Sequence, residues 1–248
     1  MAAAHLGTVW MWPGNVAAVW AALVLSQITM VAGAWAAPER NLGSFRLTYY
    51  HIALETPPLD PHQANWPVYS HSCESTLALT TQEFHQELSL EGTGLLRDGR
   101  LVNFESRCDC ARPGYKGLRS CYSELDRNVF PWGRGAKLGM SYLPLQPLHS
   151  VAVDPKEIPI GAVVFLPKLS GRPGPNGKTL SGCFRADDTG YAIRGRRLDL
   201  FTGRPAWTLW MQRTYRLERV QVVMNSPRCP TAEFREIRPS QPPSGERK

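Results

Sequence analysis

Charged residues are missing from the first 36 positions of the chain, which contain no Lys, Arg, Asp or Glu. The same segment holds the apolar run VAAVWAALVLSQITMVAGAWA, which ends in the small-x-small pattern Ala34-Trp35-Ala36. This combination predicts a secretory signal peptide over residues 1–36, with an uncleaved N-terminal anchor as the alternative. No cysteine lies near the predicted cleavage point, which excludes a lipoprotein anchor, and no later segment is apolar enough to cross a bilayer.

Internal repeats, basic helices and the aromatic repeat of a nucleic-acid module are also missing. Because these features are missing, no nucleic-acid partner is predicted in spite of the net charge of +7. It fits an anionic polymer such as cell wall, or simply a solvated basic surface. Gly and Pro, at 21 residues each, favour many turns over long helices.

Cysteine is absent before position 73, and the six cysteines all follow the predicted signal peptide. An even number in an exported chain predicts up to three disulfides and a location in the periplasm or cell envelope, or outside the cell. Cys108 and Cys110 flank Asp109, so each is expected to bond elsewhere, and Cys121 is the nearest partner for one of them. The C-x-C spacing is poor for zinc, so no metal is predicted. The cysteines left open for pairing are Cys73, Cys108, Cys110, Cys121, Cys183 and Cys229.

Short alternating segments predict a closed, mostly β domain with few helices. SFRLTYYHIALE and RLERVQVVMN read as strands, and VAVDPKEIPIGAVVFLP reads as two strands around a turn. GLLRDGRLVNF predicts a hairpin that turns at Asp98-Gly99. TTQEFHQELSL predicts a short helix capped by Thr80 or Thr81, and RPAWTLWMQ a second helix over one end of a barrel.

One carboxylate stands inside a strand pattern, in the stretch FRADDTGYAIRGRRLDLF. Period-2 alternation puts Asp199 and Phe201 on one face and the two flanking leucines on the other. A carboxylate beside Phe201 in a small barrel is expected to be partly desolvated, which raises its pKa and suits a general acid. The alternative is a structural ion pair with one of the neighbouring arginines, Arg194, Arg196 or Arg197.

Two other aspartates stand in sequences that are typical of turns, and a third lies beside one of them. Asp154 precedes Pro155, where an aspartate commonly accepts backbone N–H bonds. Asp188 also suits a turn, but Asp187 beside it adds a second charge that a turn alone does not need.

These residues carry a resemblance. VAVDPKEIPIG and RADDTGYAIRGRRLDLFTG resemble the 3D domain, which is named for three aspartates, here Asp154, Asp188 and Asp199. Such domains occur in membrane-bound lytic murein transglycosylase A and in smaller secreted wall-lytic proteins. The order of the motifs and the eleven-residue step from Asp188 to Asp199 both match. FRLTYY and LEGTGLLRDGRLVNF resemble the upstream part of related proteins, so the resemblance spans residues 45–225.

The resemblance implies a six-stranded double-psi β-barrel with short helices and an N-terminal β extension. It implies a domain over 45–229 with its core at about 136–226. Composition predicts a short polar joint before it, at 37–44, and a tail of Pro, Ser and charged residues after it, at 230–248, that is expected to be disordered. The three aspartates then converge at a saccharide groove, with Asp199 as the catalytic acid, Asp188 supporting it and Asp154 shaping the site.

Two departures from the family pattern fall between Asp188 and Asp199. Tyr191 stands where a second glycine is usual and is expected to narrow the groove, to stack on a sugar or to change the backbone. Arg194 stands where lysine is usual, which keeps the charge but changes the donor geometry. Thr189, Tyr191 and Arg194, together with Thr48 and Tyr50 of the first strand, are the predicted substrate-binding residues.

The implied activity is that of a lytic transglycosylase acting on peptidoglycan glycan strands as a monomer and without a cofactor. Asp199 would serve first as acid and then as base, giving a 1,6-anhydromuramic product. Two alternatives stay open. One is a wall-binding barrel that does not cut, because fold does not fix function. The other is a glycosidase that uses Asp199 with Asp187 or Asp188 as two carboxylates.

Overall fold

The computed structural model describes residues 37–57, 60–230 and Phe234. The predicted signal peptide and nearly all of the predicted tail lie outside the described residues. No helix in the described ranges combines the length and apolarity that crossing a membrane requires. The regular elements are β1 (Arg40–His51), β2 (Ala53–Leu54), β3 (Trp66–Tyr69), β4 (Thr76–Thr80), α1 (Gln82–Glu91), β5 (Thr93–Leu95), β6 (Leu101–Arg107), β7 (Ser120–Leu125), β8 (Arg134–Leu138), β9 (Ser141–Pro144), β10 (Ser150–Ala152), β11 (Val163–Phe165), β12 (Cys183–Asp188), β13 (Arg197–Gly203), α2 (Pro205–Tyr215) and β14 (Arg219–Met224).

Six strands close into a mixed barrel in the order β1-β13-β10-β12-β11-β14. The β1–β13 and β10–β12 pairs are parallel, and the other four pairs are antiparallel. The predicted mostly-β fold with a six-stranded barrel and short helices is confirmed.

Side-chain alternation explains why these segments form barrel strands. Phe45 and Leu47 of β1 and Leu198 and Leu200 of β13 are at most 3% exposed and pack into the barrel core. Phe201 points to the opposite face of β13 and is buried in a second apolar cluster outside the barrel. The period-2 reading of LDLF is therefore confirmed, and Asp199 lies on the Phe201 face.

The insertion, which we define as residues 52–149, leaves the barrel after β1 and returns at β10. It forms a four-stranded sheet, β2-β5-β6-β7, and the pairs β3–β4 and β8–β9. The predicted hairpin turns at Asp98-Gly99, where Gly99 has φ of +88°. Gly135 of β8 lies against β12, and an added Cβ there would stand 2.1 Å from the Asp187 carbonyl oxygen. This close approach fixes β8 beside the barrel.

Both predicted helices are present. Thr81 caps α1 by accepting a hydrogen bond from the Phe84 N–H at 3.2 Å, and Gly92 ends the helix in the left-handed conformation. Pro205 stands at the start of α2, where its missing N–H is not needed. Met211 of α2 is fully buried in the barrel core, so this helix covers the barrel as predicted.

Three disulfides join the six cysteines as Cys73–Cys110, Cys108–Cys121 and Cys183–Cys229. Cys108 therefore pairs with the nearby Cys121, one of the two expected closures. The first two bonds lie inside the insertion, where the four sulfurs are within 4.8 Å of one another. This set is the one group of possible metal ligands among the described residues, and the disulfides occupy its thiols. Several disulfides in one chain are typical of proteins outside the cytoplasm.

Candidate active site

A groove runs between the barrel and the insertion, made of two adjoining cavities of about 780 and 830 Å³. Both cavities are lined by Glu91, Asp188, Gly190, Arg197 and Asp199, so they meet at the two aspartates. The barrel-side arm is lined additionally by Arg46, Tyr49, Gln212, Arg216, Glu218 and Arg219. The other cavity lies on the side of the insertion, and we call it the extension-side arm. It is lined additionally by Glu105, Arg107, Tyr115, Lys116, Arg134, Lys137, Tyr142, Tyr191 and Arg194.

One short strand brings the two aspartates together. Ala152 of β10 is the register partner of Asp188 on β12 and of Asp199 on β13. Since neighbouring strands lie about 4.8 Å apart, the two Cα atoms are separated by at most about 10 Å. Closure of the barrel, rather than their spacing in sequence, therefore places both carboxyl groups in the groove.

Asp199 has a carboxyl oxygen without a partner. Its Oδ1 is buried and has no hydrogen-bond partner among the described residues. Burial raises the pKa of Asp199 to about 6, although the Thr48 hydroxyl and the nearby charges of Arg197 and His51 act to lower it. In the described part of the chain no arginine forms an ion pair with Asp199, so the structural alternative weighed from the sequence is not what the geometry shows.

Asp188 differs from Asp199 because its oxygens are satisfied. Tyr50 donates its hydroxyl to Oδ2 at 3.0 Å, and the Thr189 N–H donates to Oδ1 at 2.8 Å. Burial raises the pKa of Asp188 to about 7 in spite of these bonds, and the charges of Asp187 and Asp199 raise it further. Both oxygens of Asp188 are therefore bonded, whereas Oδ1 of Asp199 has no partner among the described residues.

The first strand lines the floor of the groove. Thr48 is the register partner of Asp199, and Tyr50 is the partner of Phe201. Thr48 donates its hydroxyl to the Leu198 carbonyl at 3.3 Å and accepts from Arg197 Nη2 at the same distance. Thr48 and Tyr50, expected from the sequence to line the groove, both do so.

The loop after β12 forms one rim of the groove. Gly190 lies so close to Ile193 that an added Cβ would stand 2.6 Å from its Cγ1. Arg194 donates to the carbonyls of Gly190 and Ile193, each at 3.0 Å, and so fastens the loop. Tyr191 has no left-handed φ and its side chain is 79% exposed, so the backbone here does not require a glycine.

Two aspartates from the sequence analysis do not reach the groove. Asp154 is 7% exposed, and its oxygens accept the N–H groups of Lys156 at 3.0 Å and Gly195 at 2.8 Å. These backbone bonds lower the pKa of Asp154. They also tie the turn at Lys156 to the rim loop at Gly195. Asp187 is 1% exposed and is held by Arg185 and Ser150. The structure therefore offers no role for Asp187 as a second carboxylate beside Asp199.

Glu91 and His51 line or adjoin the groove and were missed in the sequence. The His51 N–H donates to Glu91 Oε2 at 3.0 Å, and its ring Nε2 lies 3.0 Å from Glu87 Oε1. Burial raises the pKa of Glu91 to about 7, and the Asp199 carboxyl adds to this, so the two carboxyls interact. Glu91 ends α1, where the helix dipole disfavours a carboxylate. That unfavourable placement was the available signal.

Residues 149–207 match the family model of the 3D domain. The chain contains a 3D domain. The match includes Asp154, Asp188 and Asp199, so the resemblance drawn from the sequence is confirmed. No protein among the curated sequences matches the chain.

Solved structures of several lytic transglycosylases are similar to the chain that holds this 3D domain. Escherichia coli MltA with bound chitohexaose is 14% identical, with 73% of this chain and 71% of that chain covered and a TM-score of 0.49. A membrane-bound lytic murein transglycosylase from Agrobacterium tumefaciens is 14% identical, over 81% and 78% of the two chains, with a TM-score of 0.43. LtgG of Burkholderia pseudomallei is 17% identical, over 73% and 71%, with a TM-score of 0.39.

The chemistry open to this 3D domain follows from its carboxyl groups. A carboxyl with a pKa of about 6 is partly protonated near neutral pH and can both give and take a proton there, whereas a solvated aspartate is almost fully ionised. Asp199, whose Oδ1 is buried and has no hydrogen-bond partner among the described residues, lines both arms of the groove. A polymer lying along the groove would therefore present an internal bond to this carboxyl.

Proposed function

We propose that the protein is a lytic transglycosylase that cleaves the bond between N-acetylmuramic acid and N-acetylglucosamine in peptidoglycan. The observation that carries this proposal is the buried, unpartnered Asp199 oxygen at the meeting point of a two-armed groove. The 3D-domain match supports it, because the aspartates that name the family are present.

In the first half of the reaction Asp199 is the acid. Its protonated carboxyl gives the proton to the glycosidic oxygen, and the bond between that oxygen and C1 of the muramic residue breaks. In the second half the resulting carboxylate takes the proton of the C6 hydroxyl, and the C6 oxygen bonds to C1. Asp199 regains its proton, no water is consumed, and the product is 1,6-anhydromuramic acid.

Asp188 is the positioning carboxyl in this proposal. Its fixed bonds to Tyr50 and Thr189 hold it at the groove, and its pKa of about 7 keeps it substantially neutral below that pH. A neutral neighbour lets the carbohydrate approach without a second buried negative charge. Arg197, two residues before Asp199 on β13, donates to the hydroxyl of Thr48, the register partner of Asp199 on β1, and this pair borders the acid.

Digestion of purified peptidoglycan followed by mass spectrometry tests the proposal. The wild-type protein is expected to release anhydromuropeptides, and Asp199→Asn to lower their yield at least about a hundredfold because the amide cannot donate the proton. Asp126→Asn is the matched control: Asp126 is exposed, lies outside both arms and uses its side chain only to accept the Asn128 N–H.

The products decide between the alternatives. Reducing ends in place of anhydro ends would identify a glycosidase, and intact sacculi would identify a binding module. Unchanged anhydro product from Asp199→Asn would show that another group is the acid.

A further inference from the structure

The extension-side arm carries more positive charge than the rest of the groove. Apart from the residues that both arms share, five cations line it against one carboxylate. The barrel-side arm has three cations against one carboxylate. The cations of the extension-side arm are Arg107, Lys116, Arg134, Lys137 and Arg194, and its carboxylate is Glu105.

Four of these five cations have no acidic partner among the described residues. Glu105 is taken by Arg134, which contacts it through Nη2. Arg107 donates to the Ser120 hydroxyl at 2.9 Å, and Arg194 donates to backbone carbonyls. These contacts leave their positive charges uncompensated, a state that attracts an anionic ligand into a cleft.

The two lysines lie on aromatic rings and are exposed. Lys116 Nζ lies 5.3 Å from the ring centroid of Tyr115, and Lys137 Nζ lies 5.9 Å from that of Tyr142. Arg134 lies over the same Tyr142 ring at 4.3 Å. Rings beneath the ammonium groups limit the directions in which they point, and so preorganise them toward the groove.

We propose that the extension-side arm is a subsite for carboxylate groups carried on the amino-sugar strand. This inference rests on the proposed function, since it presumes that the strand lies in the groove. The carboxylates have two possible sources, the lactyl group of the muramic residue itself and the stem peptide attached to it. A neutral strand of N-acetylglucosamine alone lacks both and would gain nothing from these cations.

Binding measurements with an Asp199→Asn background test the subsite without any cleavage. The probes are peptide-bearing glycan strands, amidase-stripped strands that expose the lactyl carboxylate, and a neutral chito-oligosaccharide. Replacing both lysines, Lys116→Gln with Lys137→Gln, is expected to weaken binding of the carboxylated strands about three- to tenfold at low salt. Binding of the chito-oligosaccharide is expected to stay the same. Lys178→Gln is the control, an exposed lysine outside both arms.

The outcomes separate the two sources and the two proposals. Weaker binding of the stripped strands assigns the subsite to the lactyl group, and weaker binding of the peptide-bearing strands alone assigns it to the stem peptide. Equal losses for charged and neutral probes, or no loss, overturn the subsite. If the wild-type protein forms no anhydro product while the lysine effect holds, the transglycosylase proposal fails and the subsite stands.

Discussion

At the scale of the residue, the central contrast is between two carboxyls on nearby strands. Asp188 is held by Tyr50 and Thr189, whereas Asp199 keeps a buried oxygen free. Leaving a buried polar atom unsatisfied costs roughly 1–3 kcal/mol. In the proposed reaction the Asp199 carboxyl is protonated, and its O–H donates a hydrogen bond to the glycosidic oxygen, which offsets this cost.

The Arg197 charge makes a prediction about the pH dependence of the activity. Because an acid must be protonated to act, kcat/KM is expected to fall above the Asp199 pKa of about 6. Arg197 lowers that pKa, so in Arg197→Gln the alkaline limb of the pH profile, where kcat/KM falls, should move upward by about one pH unit. The neighbouring Arg196→Gln is the control, because Arg196 is exposed and lines neither arm. A limb that stays in place in Arg197→Gln would contradict the assignment.

At the scale of the element, the contact of β8 with β12 holds the extension-side arm against the barrel. Gly135 permits that contact, since its missing side chain leaves room for the Asp187 carbonyl. Arg134 and Lys137 stand on the same strand, so the register of β8 fixes where their charges lie. The hairpin and both helices were predictable because their caps and turns are local signals.

Gly135→Ala tests this element directly. The added methyl group overlaps a backbone atom that cannot move freely, so we expect a loss in the upper part of the range for overpacking, about 2–3 kcal/mol in the free energy of unfolding. Gly139→Ala, at a site with φ of +59° and nothing within 4 Å, should cost only the local strain of about 1 kcal/mol. Chemical denaturation with the disulfides intact measures both, and equal costs would argue against the close contact.

At the scale of the whole molecule, the groove gathers several groups whose raised pKa values cost stability at high pH. Burial raises the pKa of Asp188 and of Glu91 to about 7 and that of Asp199 to about 6. The folded state therefore binds more protons than the unfolded state between about pH 4 and pH 7. His51, whose pKa is raised by Glu87 and Glu91 although burial lowers it, acts in the same direction.

The free energy of unfolding is accordingly expected to fall as pH rises through this window. We expect it to be on the order of 2–4 kcal/mol lower at pH 8 than at pH 5, measured by denaturant unfolding of the oxidised protein. Asp188→Asn should remove part of the difference by stabilising the protein at pH 8 and not at pH 4. Asp126→Asn should leave the difference unchanged, and a rise in stability toward pH 8 would contradict the raised pKa values.

Local sequence patterns were enough to predict several barrel strands, the hairpin, both helices and the motif of the 3D domain. Alternation in LDLF predicted that Asp199 lies on the face opposite the barrel core. Two predicted groove residues, Thr48 and Tyr50, came from the first strand, and the family motif supplied Asp188, Thr189, Tyr191, Arg194 and Asp199. Contacts between distant segments were needed to show that Asp154 accepts the Gly195 N–H outside the groove. They were needed also to show that Glu91 lines the groove and accepts the His51 N–H. The reason is physical: burial, pKa and charge balance depend on contacts between segments far apart in the chain. Closure of the barrel and return of the insertion create those contacts, and no local pattern encodes them.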